Sequence, residues 1–511
     1  MKRKILSLFT ILFVGTFAFY LVGCGGGTEG LGTGENPILD YVPTEDIEIE
    51  FWHAMGQSNQ AVIDQMISTF QEKYPNITVS AYSKGGYDEL REAIIYGCAG
   101  GTGPTIAQTY QDHVALYLKT RNVKKLDGFM NHTNPEIGIA KAELDQIFPS
   151  YLQEGRVYQE AGTFSLPFNK SSEVLFYNKD FFCAHAATLA QYGVKVVATD
   201  ENGAVTDVEW PNPSWEQVEA IAQYFLTTDE YKDIEDKAKS AGFAADSAAN
   251  LFITLNQQWG GVNAYTGKGS DGKLTYLFQN SAKGKEAIQW FADGFKAGYF
   301  ATATKFGEEY SSNAFVGDKT IMTLGSSAGA GYNVASDGHF RTGVTHYPQR
   351  AAALESGKEK YVIQQGTNVT LFKCDSSAEE MAGWLFIKHL MSYEMALLWA
   401  TNTAYFPIRK DVYEGNEYQA YINGWKLDKD GQFVYDENGA HVQDHTVGVK
   451  ELTQQIVFSQ RDYMFTNVAF VGSSYVRDEA EGIIEAMLYS NMALEAAYDL
   501  AITNIKAKMG Q

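Results

Sequence analysis

Cysteine is scarce in this chain and forms no pattern. The four are Cys24, Cys98, Cys183 and Cys374. None belongs to a C-x-x-C pair or stands at zinc-ligand spacing from a histidine, so nothing suggests zinc. With Cys24 used as argued below, three remain, so one disulfide at most can form and one thiol is left over. HExxH, phosphate-loop and dinucleotide fingerprints are missing, and no metal or cofactor is expected. No segment repeats at a fixed period. Basic residues are outnumbered, 40 Lys and Arg against 62 Asp and Glu, for a formal charge of −22. A chain this acidic is unsuited to sequence-independent nucleic-acid binding, which needs cations at phosphates. It also repels anionic lipid, and an anionic ligand would need a local cationic site. The apolar run from Ile5 to Tyr20 is short for a membrane-spanning helix and is interrupted by Ser7, Thr10, Gly15 and Thr16.

That run follows Lys2, Arg3 and Lys4 and ends in Leu21-Val22-Gly23-Cys24. A basic start, an apolar stretch and small residues before a cut site read as a secretory signal over 1–23. The tetrapeptide resembles a bacterial lipobox, which implies a diacylglyceryl group on Cys24 and cleavage just before it. The plainer readings are a secreted protein whose leader carries Cys24 away, or an uncleaved anchor. Two acyl chains give stable attachment where one is marginal. Gly25, Gly26, Gly27, Gly30, Gly32 and Gly34 make 24–43 a flexible tether. Losing the leader takes the charge from −22 to −25, and 511 residues to 488, enough for two to four domains.

The body opens with Ile47–Phe51, alternating as a strand does. The pattern then predicts a loop at Trp52-His53, a helix over 59–73, a strand over 77–82, a helix over 88–96 and a strand over 105–110. Strand–helix–strand units imply a parallel sheet covered by helices, with ligands held at the carboxyl ends of the strands. Trp52-His53, Ser83 to Tyr87 and Gln111-Asp112 are those loops in this reading. Short extended runs at 156–160, 163–168 and 173–177, and again at 362–372, read as crossovers between lobes. Helices are expected over 215–226, 285–297, 378–391 and 479–508, and a strand over 320–324. Two segments, 195–210 and 427–442, are excursions. Their Asn-Gly and Asp-Gly steps mark hairpin turns, because both central residues tolerate positive φ; the calcium-loop alternative lacks its remaining ligands.

Several constellations could carry chemistry. Gly325-Ser326-Ser327-Ala328-Gly329 satisfies G-x-S-x-G after a strand. That makes Ser327 a candidate nucleophile, with His346, His389, His441 or His445 as base. No oxyanion motif precedes it. Small residues after a strand also let backbone N–H groups and hydroxyls approach a phosphate or sugar oxygen, and a plain turn is the third reading. Aromatic residues make up 14 % of the chain, with 31 tyrosines, and suit stacking on sugars. Trp290, Trp384 and Trp399 fall inside amphipathic helices and are assigned to the core. Trp259, expected in a loop, is a stacking candidate. His53 has no second histidine at ligand spacing and reads as structural. Arg477 either pairs with Asp478 or Glu479 at the surface or offers a fixed guanidinium to a phosphate or carboxylate.

The stretches FWHAM (51–55), FQEKYPNITV (70–79), KGGYDEL (84–90), PFNKSSEVLFYNKDFF (167–182), MTLGSSAG (322–329) and TAYFPIRK (403–410) occur in this order. Together, over about 47–507, they resemble the extracellular solute-binding proteins of the first sugar-binding group, the receptors of ATP-driven (ABC) importers. The likeness is greatest to the glycerol-3-phosphate-binding branch. The resemblance implies an α/β, two-lobed periplasmic-binding-protein-like fold of type II, with mixed sheets flanked by helices and a ligand cleft between lobes. It implies ligand contacts at Tyr87 in KGGY, Ser171 in PFNKSS, Ser326 (or Ser327) in LGSS, Gly366 in QQGTN and Tyr405 in AYFP, with Arg477 in SYVR holding the phosphate. Gln111 stands where the family has a glutamate, and it donates as well as accepts. Lys170 replaces a small polar residue and adds a cation. Lobe 1 is expected over 44–168 and 323–364, lobe 2 over 172–322 and 367–511. The expected partners are a carbohydrate or glycerol-phosphate-type ligand, the permease subunits, and the membrane through the lipid on Cys24, with the protein itself monomeric and not an enzyme. The rivals are a lipid-anchored hydrolase using Ser327 and a surface polysaccharide-binding adhesin.

Overall fold

The computed structural model describes residues 36–510. The expected signal, Cys24 and the start of the tether lie outside the described residues. The body begins with β1 (Ile47–His53) and α1 (Gln57–Lys73), whose Val62, Ile63, Met66, Ile67 and Phe70 form one buried stripe. Pro75 follows and helps to stop the helix. β2 (Ile77–Ser83), α2 (Tyr87–Gly100), β3 (Ile106–Thr109) and α3 (Gln111–Lys119) complete the first parallel units. β4 is a single strand, Leu166–Asn178. β5 (Ala241–Ala245), α4 (Ala248–Gly260), α5 (Ala282–Lys296), β6 (Phe300–Thr302), β7 (Thr320–Ser326) and β8 (Thr342–Thr345) come next. β9 (Val362–Leu371), α6 (Ser377–Leu390), α7 (Tyr393–Asn402), β10 (Met464–Phe465), α8 (Ser473–Tyr489) and α9 (Leu494–Met509) finish the chain.

Ten strands share one mixed sheet in the order β6-β5-β7-β4-β9-β3-β1-β2, with β8 added on β4 and β10 on β9. β4 makes it continuous. Its first part, to Ser172, pairs with β9; from Glu173 onward it pairs with β7. β9 in turn pairs with β3 through Asn368–Leu371. Side chains alternate across a strand, so Val174 and Phe176 enter one core and Leu175 and Tyr177 another. The first core holds Phe51, Ile63, Phe70, Trp384, Phe386 and Trp399. The second holds Trp215, Phe243, Phe252, Phe291 and Tyr498. Trp290 packs against the second, as expected of a helix-face residue.

Several boundaries differ from expectation. Trp52 and His53 lie inside β1 and not in a loop, because both pair with β2. Gln111 and Asp112 open α3 instead of lying in a loop. The expected helix over 479–508 is two helices, broken where Asn491 takes φ +50°, a conformation asparagine tolerates. The cores also divide the chain differently from the expected 323–364 and 367–511. β7 pairs with β5, while α6 and α7 share a core with β1 and α1. The crossover at β9 was legible, but not its direction, which is set by pairing with β3. Hereafter the first half is the body around the first core, and the second half that around the second.

Both excursions depend on aspartate-capped turns. Asp200 accepts from the N–H groups of Asn202 and Ala204, and Asp428 and Asp436 do the same two and four residues on. Lys195–Thr199 pairs with Val205–Glu209 as a hairpin. Residues 425–443 instead form a meander of single bridges around Trp425, whose ring stacks on His441 at 3.8 Å.

Candidate functional site

α2 begins at Tyr87, after the turn through Gly85 and Gly86 that leaves the carboxyl end of β2. The Tyr87 hydroxyl lies 3.4 Å from that of Tyr405, and its ring meets Tyr110 edge-on at 4.8 Å. Tyr110 is the extended residue just before α3. Tyr405 is nearly buried, stacks on Trp399 at 5.7 Å, and is held beside β4 because the next N–H, of Phe406, donates to the Lys170 carbonyl at 2.7 Å. Burial raises the Tyr87 and Tyr110 hydroxyl pKa values far above the ordinary range, so both remain neutral donors.

β4 contributes Asn169, Ser171 and Glu173 on one pleat face. Asn169 accepts from Gln108 Nε2 at 3.2 Å and from the Thr367 N–H at 3.1 Å. Ser171 meets the Ser326 hydroxyl at 3.4 Å across the β4–β7 junction. Opposite Lys170 in the ladder is Gly366. It takes φ +86°, and a Cβ there would sit 1.9 Å from the Asn169 carbonyl oxygen, so only glycine fits. Glu173 accepts from Asn250 Nδ2 at 3.0 Å, and Asn250 Oδ1 accepts from the Arg477 guanidinium at 2.5 Å. Burial pushes the Glu173 carboxyl up to about 8, with the Asn250 hydrogen bond pulling the other way. For Arg477 burial acts downward, yet Asp112 and the nearby tyrosines hold it above its ordinary value.

A cavity of about 130 Å³ lies between the halves. Tyr110, with Gln111 and Asp112 of α3, Gln364 and Gln365 of β9, and Asn250 and Arg477 of α4 and α8 line it. The cores and sheet thus bring seven of the expected residues to one region. Tyr87, Ser171, Ser326, Gly366 and Tyr405 cluster around β4, and Tyr110 links them to Gln111 and Arg477 in the cavity. A larger hollow of about 400 Å³ lies on the outside of the first half. Its cations are already engaged: Lys388 donates to three carbonyls, and Arg409 pairs with Glu143 and Asp411.

Trp259 does not join the site. It is in the last turn of α4, stacked on Trp290 at 5.7 Å with the Arg350 guanidinium over its ring. Nine residues of helix, about 13 Å, separate it from Asn250. Gly260-Gly261 proves to be the helix end, with Gly261 at φ +82°. Lys170 is not a cleft cation: it is fully buried in an ion pair with Glu154 and donates to the Gly366 carbonyl at 3.3 Å. Arg477 pairs with neither Asp478, which meets Arg91, nor Glu479, which meets Lys508. Ser327 is 1 % exposed and its hydroxyl accepts from the Ser172 N–H at 3.2 Å. None of the four candidate histidines bonds to it: His346 meets Ser459, His389 and His445 meet backbone carbonyls, and His441 stacks on Trp425. His53 is buried and accepts from the Met55 N–H, and burial lowers its pKa to about 4. Cys98 and Cys183 are free thiols. Asn169, Glu173 and Asn250 were not anticipated; period-two reading of β4 around Ser171 would have found the first two.

The profile of a family described as "Bacterial extracellular solute-binding protein" matches residues 65–424. Among curated relatives, the sn-glycerol-3-phosphate-binding periplasmic protein UgpB of Yersinia pestis bv. Antiqua is 24 % identical over 379 residues, 73 % of this chain and 77 % of the relative. Escherichia coli K12 UgpB is 24 % identical over 377 residues, 73 % of this chain and 77 % of its own. Among solved structures, UgpB of Mycobacterium tuberculosis in complex with glycerophosphocholine aligns with TM-score 0.64 at 14 % identity, covering 91 % of this chain and 98 % of that one. The maltose/maltodextrin-binding domain MalE of Bdellovibrio bacteriovorus bound to maltotriose aligns at 0.63 and 16 %, covering 91 % and 100 %. The architecture is therefore the expected α/β, type II periplasmic-binding-protein fold.

Proposed function

From the premise that the chain belongs to the bacterial extracellular solute-binding proteins, we propose that it is the substrate-binding lipoprotein of an ABC importer. It captures a carbohydrate or polyol phosphate and delivers it unchanged to the permease subunits. The lipid on Cys24 and the glycine-rich tether hold a monomeric body at the outer face of the cell membrane. The two halves close over the ligand: a molecule touching both binds the closed form better and shifts the population toward it. Tyr87, Tyr405, Ser171 and Ser326 supply hydroxyls, Gln111 supplies an amide, and Gly366 lets the backbone come close. The relatives' names, glycerol-3-phosphate-binding and maltotriose-bound among them, support that ligand range.

Arg477 carries the reading. Its guanidinium faces the cavity between the halves with Asn250 as its hydrogen-bonding partner. An arginine has five N–H donors, so most of its fork is left for an anion or a row of hydroxyls. Calorimetric titration with glycerol-3-phosphate, glycerophosphocholine and maltotriose tests the proposal. One of these should bind with one-to-one stoichiometry. Arg477→Ala should cost a phosphorylated ligand about 2 kcal/mol or more, roughly 30-fold in Kd. Unchanged affinity for the phosphorylated ligand would remove the phosphate role from Arg477.

A further inference from the structure

The chain that walls the cavity beside Arg477 also walls two neighbouring hollows. Residues 466–469 line the cavity itself; Ala469, Phe470 and Val471 line a second hollow of about 280 Å³; and Phe470, Val471 and Tyr475 line a third of about 290 Å³. One strip of chain thus runs along three hollows in succession. α3 faces it throughout, with Gln111 and Asp112 at the first hollow and Lys119 at the second and third. Eight residues of helix separate Gln111 from Lys119, about 12 Å at 1.5 Å per residue.

The charge changes along this path. The first hollow places Arg477 beside Asp112 and Glu154, and the second sets Lys119 opposite Glu160. The third is lined by Lys119, Lys273 and Lys508 and by no carboxylate, in a chain whose formal charge is −22. Lys508 lies 3.0 Å from Glu479. Lys119 and Lys273 are exposed, with no ion pair among the described residues. Lys119 belongs to α3 of the first half. Lys273 sits in the turn between Thr266–Lys268 and Leu274–Tyr276, and Lys508 in α9, both of the second half. Like charges gathered around one hollow repel each other until an anion lies between them, and an anion held from both halves favours closure.

We infer that the third hollow, ringed by Lys119, Lys273 and Lys508, forms a second anion-accepting subsite beyond the one at Arg477. The ligand is then an extended molecule with anionic groups joined by a hydroxylated spacer: an oligomeric polyol phosphate, longer than a single glycerol phosphate and unlike a neutral sugar. This rests on the capture role proposed for Arg477.

Calorimetric titration of the protein with three probes tests it: glycerol-3-phosphate, a synthetic three-unit glycerol phosphate oligomer, and maltotriose as a neutral molecule of comparable length. The oligomer should bind at least tenfold tighter than the single unit at low salt. That gain should shrink at high salt as the screening length falls from about 10 Å at 0.1 M toward 3 Å at 1 M. Lys119→Ala combined with Lys273→Ala should bring the oligomer-to-monomer ratio close to one; both side chains are on the surface, so folding is retained. Equal affinity of the two phosphates, a gain that survives the double substitution, or a preference for maltotriose would each overturn the subsite. So would loss of importer-driven uptake by the double variant with oligomer affinity intact, which would make the lysines a protein-docking face. Silence with all three probes would overturn the capture reading itself, whereas binding of glycerol-3-phosphate with no gain for the oligomer overturns the outer subsite alone.

Discussion

Glu173 sits at the junction of the halves with one carboxyl oxygen bonded to Asn250 and the other without a partner among the described residues. Its pKa of about 8 compares with roughly 4.3 in an unfolded chain. The folded protein therefore keeps a proton that the unfolded chain releases, and stability falls as pH rises between those values. Glu173→Gln should match the parent near pH 5 and exceed it at pH 8.5 by on the order of a few kcal/mol, read by urea unfolding at both pH values. A parent that loses nothing relative to the variant would show an ionised, compensated carboxylate. At Gly366 the prediction is steric. Alanine must adopt φ +86° with its Cβ against the Asn169 carbonyl, and should cost about 2–4 kcal/mol; a change in unfolding free energy under 1 kcal/mol would contradict the close approach. Gly366 was legible because a motif marked it. The fate of Lys170 was not, since its partner Glu154 lies in α-helical Pro149–Glu154, a short turn that no periodicity reveals.

Among elements, α2 and α8 are linked directly. Arg91 reaches Asp478 at 3.5 Å while also lying 3.3 Å from Asp88. Exposed ion pairs contribute little, but the Arg91 side chain is only 12 % exposed, and this pair joins the two halves. Arg91→Ala should therefore weaken ligand binding by about 3- to 10-fold, chiefly through faster dissociation. Stopped-flow release that is as slow as the parent's would leave the pair a local helix contact. Element types were largely readable from hydrophobic period, as in α1. Element ends were not. Tyr110 precedes α3 without a side-chain cap to announce it, so Gln111 read as loop. At α4 the loop expected around Trp259 is the last helical turn, and the paired glycines after it are the helix stop.

At the scale of the whole molecule, stabilisation by ligand should follow mass action. A ligand at 100-fold its Kd adds about 2.7 kcal/mol to unfolding, and small-angle scattering should show a smaller radius of gyration in its presence. A bound ligand that leaves the radius unchanged would mean that the halves are already closed without it. The two-core architecture could be read from alternating segments and matching stretches, because those are local. The assignment of α6 and α7 to the first core could not, because it depends on which strand β9 meets. The free thiols fit either compartment and so say nothing about it.

Because β4 and β9 are themselves rungs of the common sheet, the halves are not swung on a slack loop like a door. Any rotation between them has to be taken up as torsion of a two-stranded ribbon pinned at Gly366 and at the buried Lys170–Glu154 pair. Such a ribbon resists in proportion to its twist and returns when released. Under the closure proposed above, the grip on cargo would be sprung, and the reopening that unloads it would be stored in the act of closing.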